Sequence, residues 1–197
     1  MNLALFDFDG TLTDRELFPD FMHFAVTPRR LAIGRVVLAP VVVGYKLGLV
    51  SGVATRACIV DFAFRGRSED ELRDAGERFA REIVPAALRP EAMARLRWHR
   101  EQGDTVVVVS GAFDLYLSHW CVQHGLDLLC SSLESSDGVM TGRYAGAQCA
   151  GAEKARRVRE RYDLSRFDTV YAYGDTREDR ELLALAQRRW YRGQEQA

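Results

Sequence analysis

A chain of 197 residues, 47% hydrophobic and 28% charged, has the balance of a globular protein with one core domain and room for one insertion. Its formal net charge of −1 argues against a nucleic-acid binder held by a broad basic face. Four cysteines, at 58, 121, 130 and 149, form no C-x-x-C pair, which points to reduced, mostly buried thiols in a cytoplasmic protein.

The first predicted element is a buried strand over residues 2–8, NLALFDF, running straight into Asp9-Gly10-Thr11; no secretory leader is expected ahead of it. Residues 15–85 contain no convincing strand. FPDFMHFAV, RRLAIGRVVLAPVVVGYKLGLV, GVATRACIVDFAF and SEDELRDAGERFAREIV read as successive helices, with Ser68-x-x-Glu71 resembling a capping box. After this, helices are predicted at 90–101, 113–124, 152–162 and 177–186. Strands are predicted at 105–110, TVVVVS, at 126–132, at 168–174, DTVYAYG, and at 188–191. Asp137-Gly138 between two short runs reads as a small β-hairpin. Alternating strands and helices imply an α/β fold with a parallel sheet covered on both faces. The expected division is a core of residues 1–14 and 86–197 with an all-helical insertion at 15–85.

In an open parallel sheet, ligands bind beyond the carboxyl ends of the strands. Three predicted strands end in polar groups: Asp7 and Asp9, then Ser110-Gly111, then Gly174-Asp175. Lys154 stands near the start of a predicted helix. Carboxylates brought this close need a counter-charge. A hard divalent cation supplies it, Mg²⁺ taking one or two carboxylates plus phosphate and water. Lysine and hydroxyl suit phosphate oxygens, and the chemistry would be phosphoryl transfer with an Asp nucleophile. Taken singly, a D-x-D is a turn or a cap, Ser110-Gly111 ends a strand, Lys154 is one charge on a solvated helix, and Asp179 pairs with a neighbouring arginine. The ordered combination carries the inference.

DFDGTLT, VVVVSGAFD, Lys154 and GDTREDREL resemble, in order and spacing, the four motifs of the haloacid dehalogenase (HAD) superfamily of phosphatases. The resemblance is to subfamily IB, the phosphoserine phosphatase-like branch, and it covers residues 1–14 and about 86–190. The insertion matches only in being helical; its apolar character is more like bacterial members that include a phosphatidylglycerophosphatase type. The resemblance implies a Rossmann-like core, a helical cap and a Mg²⁺-dependent phosphomonoesterase. In that scheme Asp7 is the nucleophile and Asp9 the acid/base. Ser110 and the Gly111 N–H hold the phosphoryl oxygens, Lys154 neutralises charge, and Asp175 binds Mg²⁺ with Asp7 and the Asp9 carbonyl. Asp179 supports the metal's water or Lys154, and Glu16 stands where such enzymes read a substrate amine, though a solvated first-turn Glu is an equal reading. Arg56 could clamp a carboxylate or phosphate. The substrate expected is a small phosphorylated metabolite. A lipid phosphate dephosphorylated at the membrane surface is the alternative, and a phosphoacceptor domain without turnover is the alternative of another class.

Residues 31–50 are interrupted by Arg35, Pro40 and Lys46, too often for a bilayer span. Burial within the insertion is the preferred reading, ahead of weak contact with the inner face of a membrane or a dimer face. Trp98, Trp120 and Trp190 are expected to pack on the core. The four histidines lack metal-ligand spacing.

Overall fold

A computed structural model describes residues 1–196. The central sheet has the strand order β3-β2-β1-β6-β7-β8, formed by β1 (Leu3–Phe6), β2 (Thr105–Phe113), β3 (Asp127–Ser131), β6 (Val170–Gly174), β7 (Arg188–Tyr191) and β8 (Gln194–Gln196). All pairings are parallel except β7 with β8. Each residue of β1 is buried, as its uninterrupted apolar run requires for a strand covered on both faces. The remaining strands, β4 (Leu133–Ser136) and β5 (Val139–Tyr144), form the expected hairpin. Asp137 and Gly138 turn it with φ of 51° and 76°, the double positive φ of a primed turn.

The chain leaves the sheet after β1 and runs through α1 (Phe18–Ala25), α2 (Pro28–Val37), α3 (Ala39–Lys46), α4 (Gly52–Phe64), α5 (Glu69–Glu82) and the short α6 (Val84–Ala87). Caps mark the helix starts: Thr27, Ser51 and Ser68 each accept a backbone N–H three residues on. The two crossings between core and insertion lie side by side. Asp14 N–H donates to the Ala87 carbonyl at 2.8 Å, and Arg89 N–H to that of Leu12 at 2.9 Å.

α7 (Pro90–Glu101), α8 (Asp114–His124), α9 (Ala152–Arg161) and α10 (Arg180–Leu183) complete the fold. One apolar cluster covers one side of the sheet and includes Phe6, Phe8, Phe113 and Tyr116 from the core with Phe21, Phe64 and Phe79 from the insertion. A second, with Leu5, Val107, Val158 and Leu182, fills the other side.

Three expectations need correction, and one strand lacks a sequence signal. The helix expected at 177–186 is a 3₁₀ turn, Arg177–Asp179, opened by a capping box between Thr176 and Asp179 and followed by the four residues of α10, so that it ends at Leu183. Trp98 is partly exposed and stacks beside Arg95, while Trp120 and Trp190 are buried. Strand β8 was not foreseen, its polar Gln-Glu-Gln lacking an apolar alternation. Residues 31–50 are not buried within the insertion. The outer layer of α2 and α3 is one helix thick; α2 reaches inward through Leu31 and Gly34, and α3 has no buried residue. Apolar residues lie all round these helices, and one inner neighbour, α4, covers one side only.

Candidate active site

β1 ends at Phe6, and Asp7 is the first residue beyond it, held by its N–H to the Tyr173 carbonyl at 2.9 Å. The turn that follows reverses at Gly10, φ 78°. A Cβ there would stand 2.3 Å from Asp175 Oδ2, so only glycine lets the first acidic loop close on the end of β6. Thr11 Oγ1 donates to Asp175 Oδ1 at 3.3 Å across that gap.

On the other flank, β2 bulges between Ser110 and Phe113, a device that redirects side chains at a sheet edge. Ser110 is buried, and its Oγ accepts the Ala112 N–H at 3.1 Å. The hydroxyl proton of Ser110 therefore remains to be donated. Gly111 lies on the same bulge, close to the Cys149 carbonyl.

Lys154, the third residue of α9, is buried and donates to Asp7 Oδ1 and Asp179 Oδ1, each at 2.6 Å. The other Asp179 oxygen accepts Asp175 N, Thr176 N and Thr176 Oγ1 at 3.1, 2.9 and 3.0 Å. Asp179 is thus saturated with donors and fixes both Lys154 and the loop after β6.

Burial pushes Asp7 up to about 8, against the pull of Lys154. Burial also raises Asp9 to about 7; its Oδ1 accepts the Leu17 N–H at 3.0 Å, and Glu16 adds repulsion. Asp175 is raised by burial and by Asp179. For Asp179, burial is outweighed by Lys154 and the backbone donors, and its carboxyl lies below the usual range. Lys154 is raised, because its two carboxylates outweigh burial.

Four acids facing one ammonium leave a deficit of positive charge. Oxygens of Asp7, Asp175 and Asp179 lie within 4.8 Å of one another. Because Asp179 is already saturated, Asp7 and Asp175 are the carboxylates with capacity left for a hard divalent cation. The donor set fits Mg²⁺.

The structure therefore brings together Asp7, Asp9, Ser110, Gly111, Lys154, Asp175 and Asp179 at one edge of the sheet. Glu16 is exposed at the rim, near enough to Asp9 to act on its charge. Arg56 on α4 spans to the core: its Nε donates to Gln148 Oε1 at 3.1 Å and its Nη2 to Glu178 at 3.1 and 3.2 Å. Sequence reasoning gave Thr11, Gln148 and Glu178 no part. Thr11 belongs to the quoted DFDGTLT stretch, a signal that was present; Gln148 stands in a segment with no pattern at all.

The comparisons agree with this geometry. Residues 4–184 match the family of haloacid dehalogenase-like hydrolases. Protein CicA of Caulobacter vibrioides is 33% identical over 96% of this chain and 85% of its own. A protein of unknown function from Bordetella pertussis Tohama I superposes with a TM-score of 0.81 at 25% identity, covering 95% of this chain and 88% of the other. A substrate-bound phosphoserine phosphatase superposes with a TM-score of 0.68 at 20% identity over 96% of this chain and 84% of that one, a likeness of fold. With its family match spanning nearly the whole sequence and the acids, serine and lysine gathered at one sheet edge, the chain belongs to the haloacid dehalogenase-like hydrolases.

Proposed function

We propose that the chain is a Mg²⁺-dependent phosphomonoesterase that works through an aspartyl-phosphate on Asp7. The observation that carries this reading is the buried Lys154 ammonium shared between Asp7 and Asp179 at 2.6 Å each. It neutralises one face of Asp7 and leaves the other oxygen to act as a nucleophile.

In the first half-reaction an Asp7 oxygen attacks phosphorus and the bond from phosphorus to the ester oxygen breaks. Asp9 gives that oxygen its proton, so the alcohol leaves neutral. The Ser110 hydroxyl and the Gly111 N–H hold the phosphoryl oxygens, and Lys154 offsets their charge. In the second half-reaction Asp9 takes a proton from water, the water oxygen attacks phosphorus, and the bond from phosphorus to Asp7 breaks. Orthophosphate and free Asp7 result. Asp7, Asp175 and the Asp9 carbonyl would hold Mg²⁺, which when bound supplies further neutralisation of phosphoryl charge.

The substrate we infer is a small phosphomonoester of phosphoserine type. Support comes from Glu16, whose exposed carboxylate stands at the rim beside Asp9 and would pair with a substrate ammonium. The experiment is phosphate release from an aryl phosphate and from phosphoserine, with Mg²⁺ and with excess chelator. Both activities should vanish in chelator, and Asp175→Ala should behave the same way with metal present. Glu16→Gln should raise KM for phosphoserine while sparing the aryl phosphate. Full turnover in chelator would overturn the metal role, and an unchanged KM would overturn the substrate class.

A further inference from the structure

We propose that the outer layer of the insertion, α2, α3 and the α3–α4 turn, docks on an anionic lipid surface. Val36, Leu47 and Leu49 are 76%, 68% and 80% exposed, and Val37, Val43 and Tyr45 are more than half exposed around them. These residues are consecutive along one layer, unlike the scattered single apolar residues that any surface carries. The layer is rigidly backed. Arg30 on α2 donates through Nε to the Phe62 carbonyl at 2.8 Å and through Nη2 to the Arg65 carbonyl at 3.0 Å. Thr27 and Ser51 cap α2 and α4. The apolar face is therefore presented by α2, α3 and the short turn of residues 47–51 that leads into the Ser51 cap.

Charge identifies the occupant. The chain has 28 acidic and 27 basic residues, yet residues 21–60 contain five Lys or Arg and no Asp or Glu. Arg29, Arg35 and Lys46 are exposed and enter no ion pair among the described residues. A second copy docking isologously would set these cations against their own images with no carboxylate between them, an unfavourable arrangement. An anionic bilayer surface offers what both parts of the layer lack: headgroup phosphates for the cations and acyl chains for the aliphatic tip. Tyr45 at that tip has the amphipathic ring suited to the interface. No helix among the described residues is long and apolar enough to cross a membrane, so contact would be peripheral.

The layer also adjoins the catalytic cleft. Gly52 opens α4 directly after the exposed turn, and a Cβ there would lie within 4 Å of Tyr45, Glu178 and Arg56. Docking would thus hold the seam between insertion and core close to the lipid surface.

The test is co-sedimentation of the full chain with phosphatidylcholine vesicles made with and without phosphatidylglycerol, at low and raised salt, alongside sedimentation equilibrium of the protein alone. The expected result is partition onto the anionic vesicles that weakens with salt. Lys46→Gln and Arg35→Gln should each weaken it by roughly five-fold. The double change Leu47→Asp with Leu49→Asp should abolish it while leaving the far-UV circular dichroism unchanged. Should that pair disturb folding, Val36→Asp on α2 reads the same face independently. Absence of binding to anionic vesicles at low salt overturns the proposal, as does binding indifferent to all these changes. A dimer that the Leu47→Asp, Leu49→Asp pair dissolves overturns it in favour of a second copy.

Discussion

Asp7 and Asp9 stand two residues apart, and the proposed mechanism sets them opposite demands, one as a nucleophile that must be anionic and one as a carrier that must take up and release a proton. Their partners differ accordingly: Lys154 on Asp7, and a single backbone N–H, that of Leu17, on Asp9. Asp7→Asn should abolish phosphoenzyme formation and reduce turnover to background. Asp9→Asn should slow alkyl phosphate hydrolysis by about 10²–10⁴-fold, while an aryl phosphate, with its better leaving group, still phosphorylates Asp7. Mass spectrometry of the N-terminal peptide after a single turnover distinguishes the two outcomes. These residues were legible because the motif places them at a strand end. His99 was not, since a lone histidine in a helix carries no pattern. It is fully buried, with Nδ1 2.8 Å from Asp104 Oδ2 and Nε2 2.8 Å from the Tyr173 hydroxyl. Burial lowers it below its ordinary 6.5, against the pull of Asp104. The unfolded chain therefore binds a proton that the folded chain refuses. His99 supports the fold fully above 6.5, and its contribution falls as pH drops toward the folded value. Raised carboxyls such as Asp7 and Asp9 act in the opposite sense over that range, so the reading must be differential. The stability of the wild type relative to His99→Gln should shrink between about pH 7 and about pH 5, by at most about 1.4 kcal/mol per pH unit, as checked by urea melts of both proteins.

At the scale of elements, the strands and the longer helices follow from apolar runs and punctuation. α7 begins at Pro90 as its first-turn proline requires, and α8 stops at Gly125, which adopts φ 63°. The legible signal fails where side chains override the local pattern. After β6 the Thr176–Asp179 capping box opens the segment as a 3₁₀ turn in place of the expected α-helical one. For residues 31–50, hydrophobicity was visible in the sequence but its destination was not, because burial depends on how many layers pack outside a helix. Close approach is likewise invisible in a pattern. Gly76 on α5 packs against α8, and a Cβ there would lie 2.0 Å from the Leu115 carbonyl oxygen. Backbone cannot yield as a flexible side chain does. Gly76→Ala should therefore force the two helices apart and cost roughly 3 kcal/mol, a fall of about 6–12 °C in Tm for a chain of this size, measurable by calorimetry.

Across the whole molecule, the apolar cluster that joins Phe8, Phe113 and Tyr116 to Phe21, Phe64 and Phe79 makes insertion and core one thermodynamic body. The three tryptophans, at 98, 120 and 190, all lie outside residues 15–85. Their fluorescence reports the core, whereas far-UV circular dichroism draws heavily on the helices of the insertion. The two signals should trace one transition with the same denaturant midpoint; an earlier loss of helix would show that the shared cluster does not couple the two parts.

The adjacent crossings at Asp14–Ala87 and Leu12–Arg89 bear on how such a protein diversifies. Because the chain departs and returns at one point, everything between is a side excursion on a closed circuit, and its replacement leaves every strand connection of the sheet as it was. The acids, the serine and the lysine all belong to that circuit. The excursion can thus be exchanged without displacing the residues to which the proposed reaction is assigned. The constraint on any such graft is aromatic: the newcomer must bring counterparts of Phe21, Phe64 and Phe79 to close over Phe113 and Tyr116.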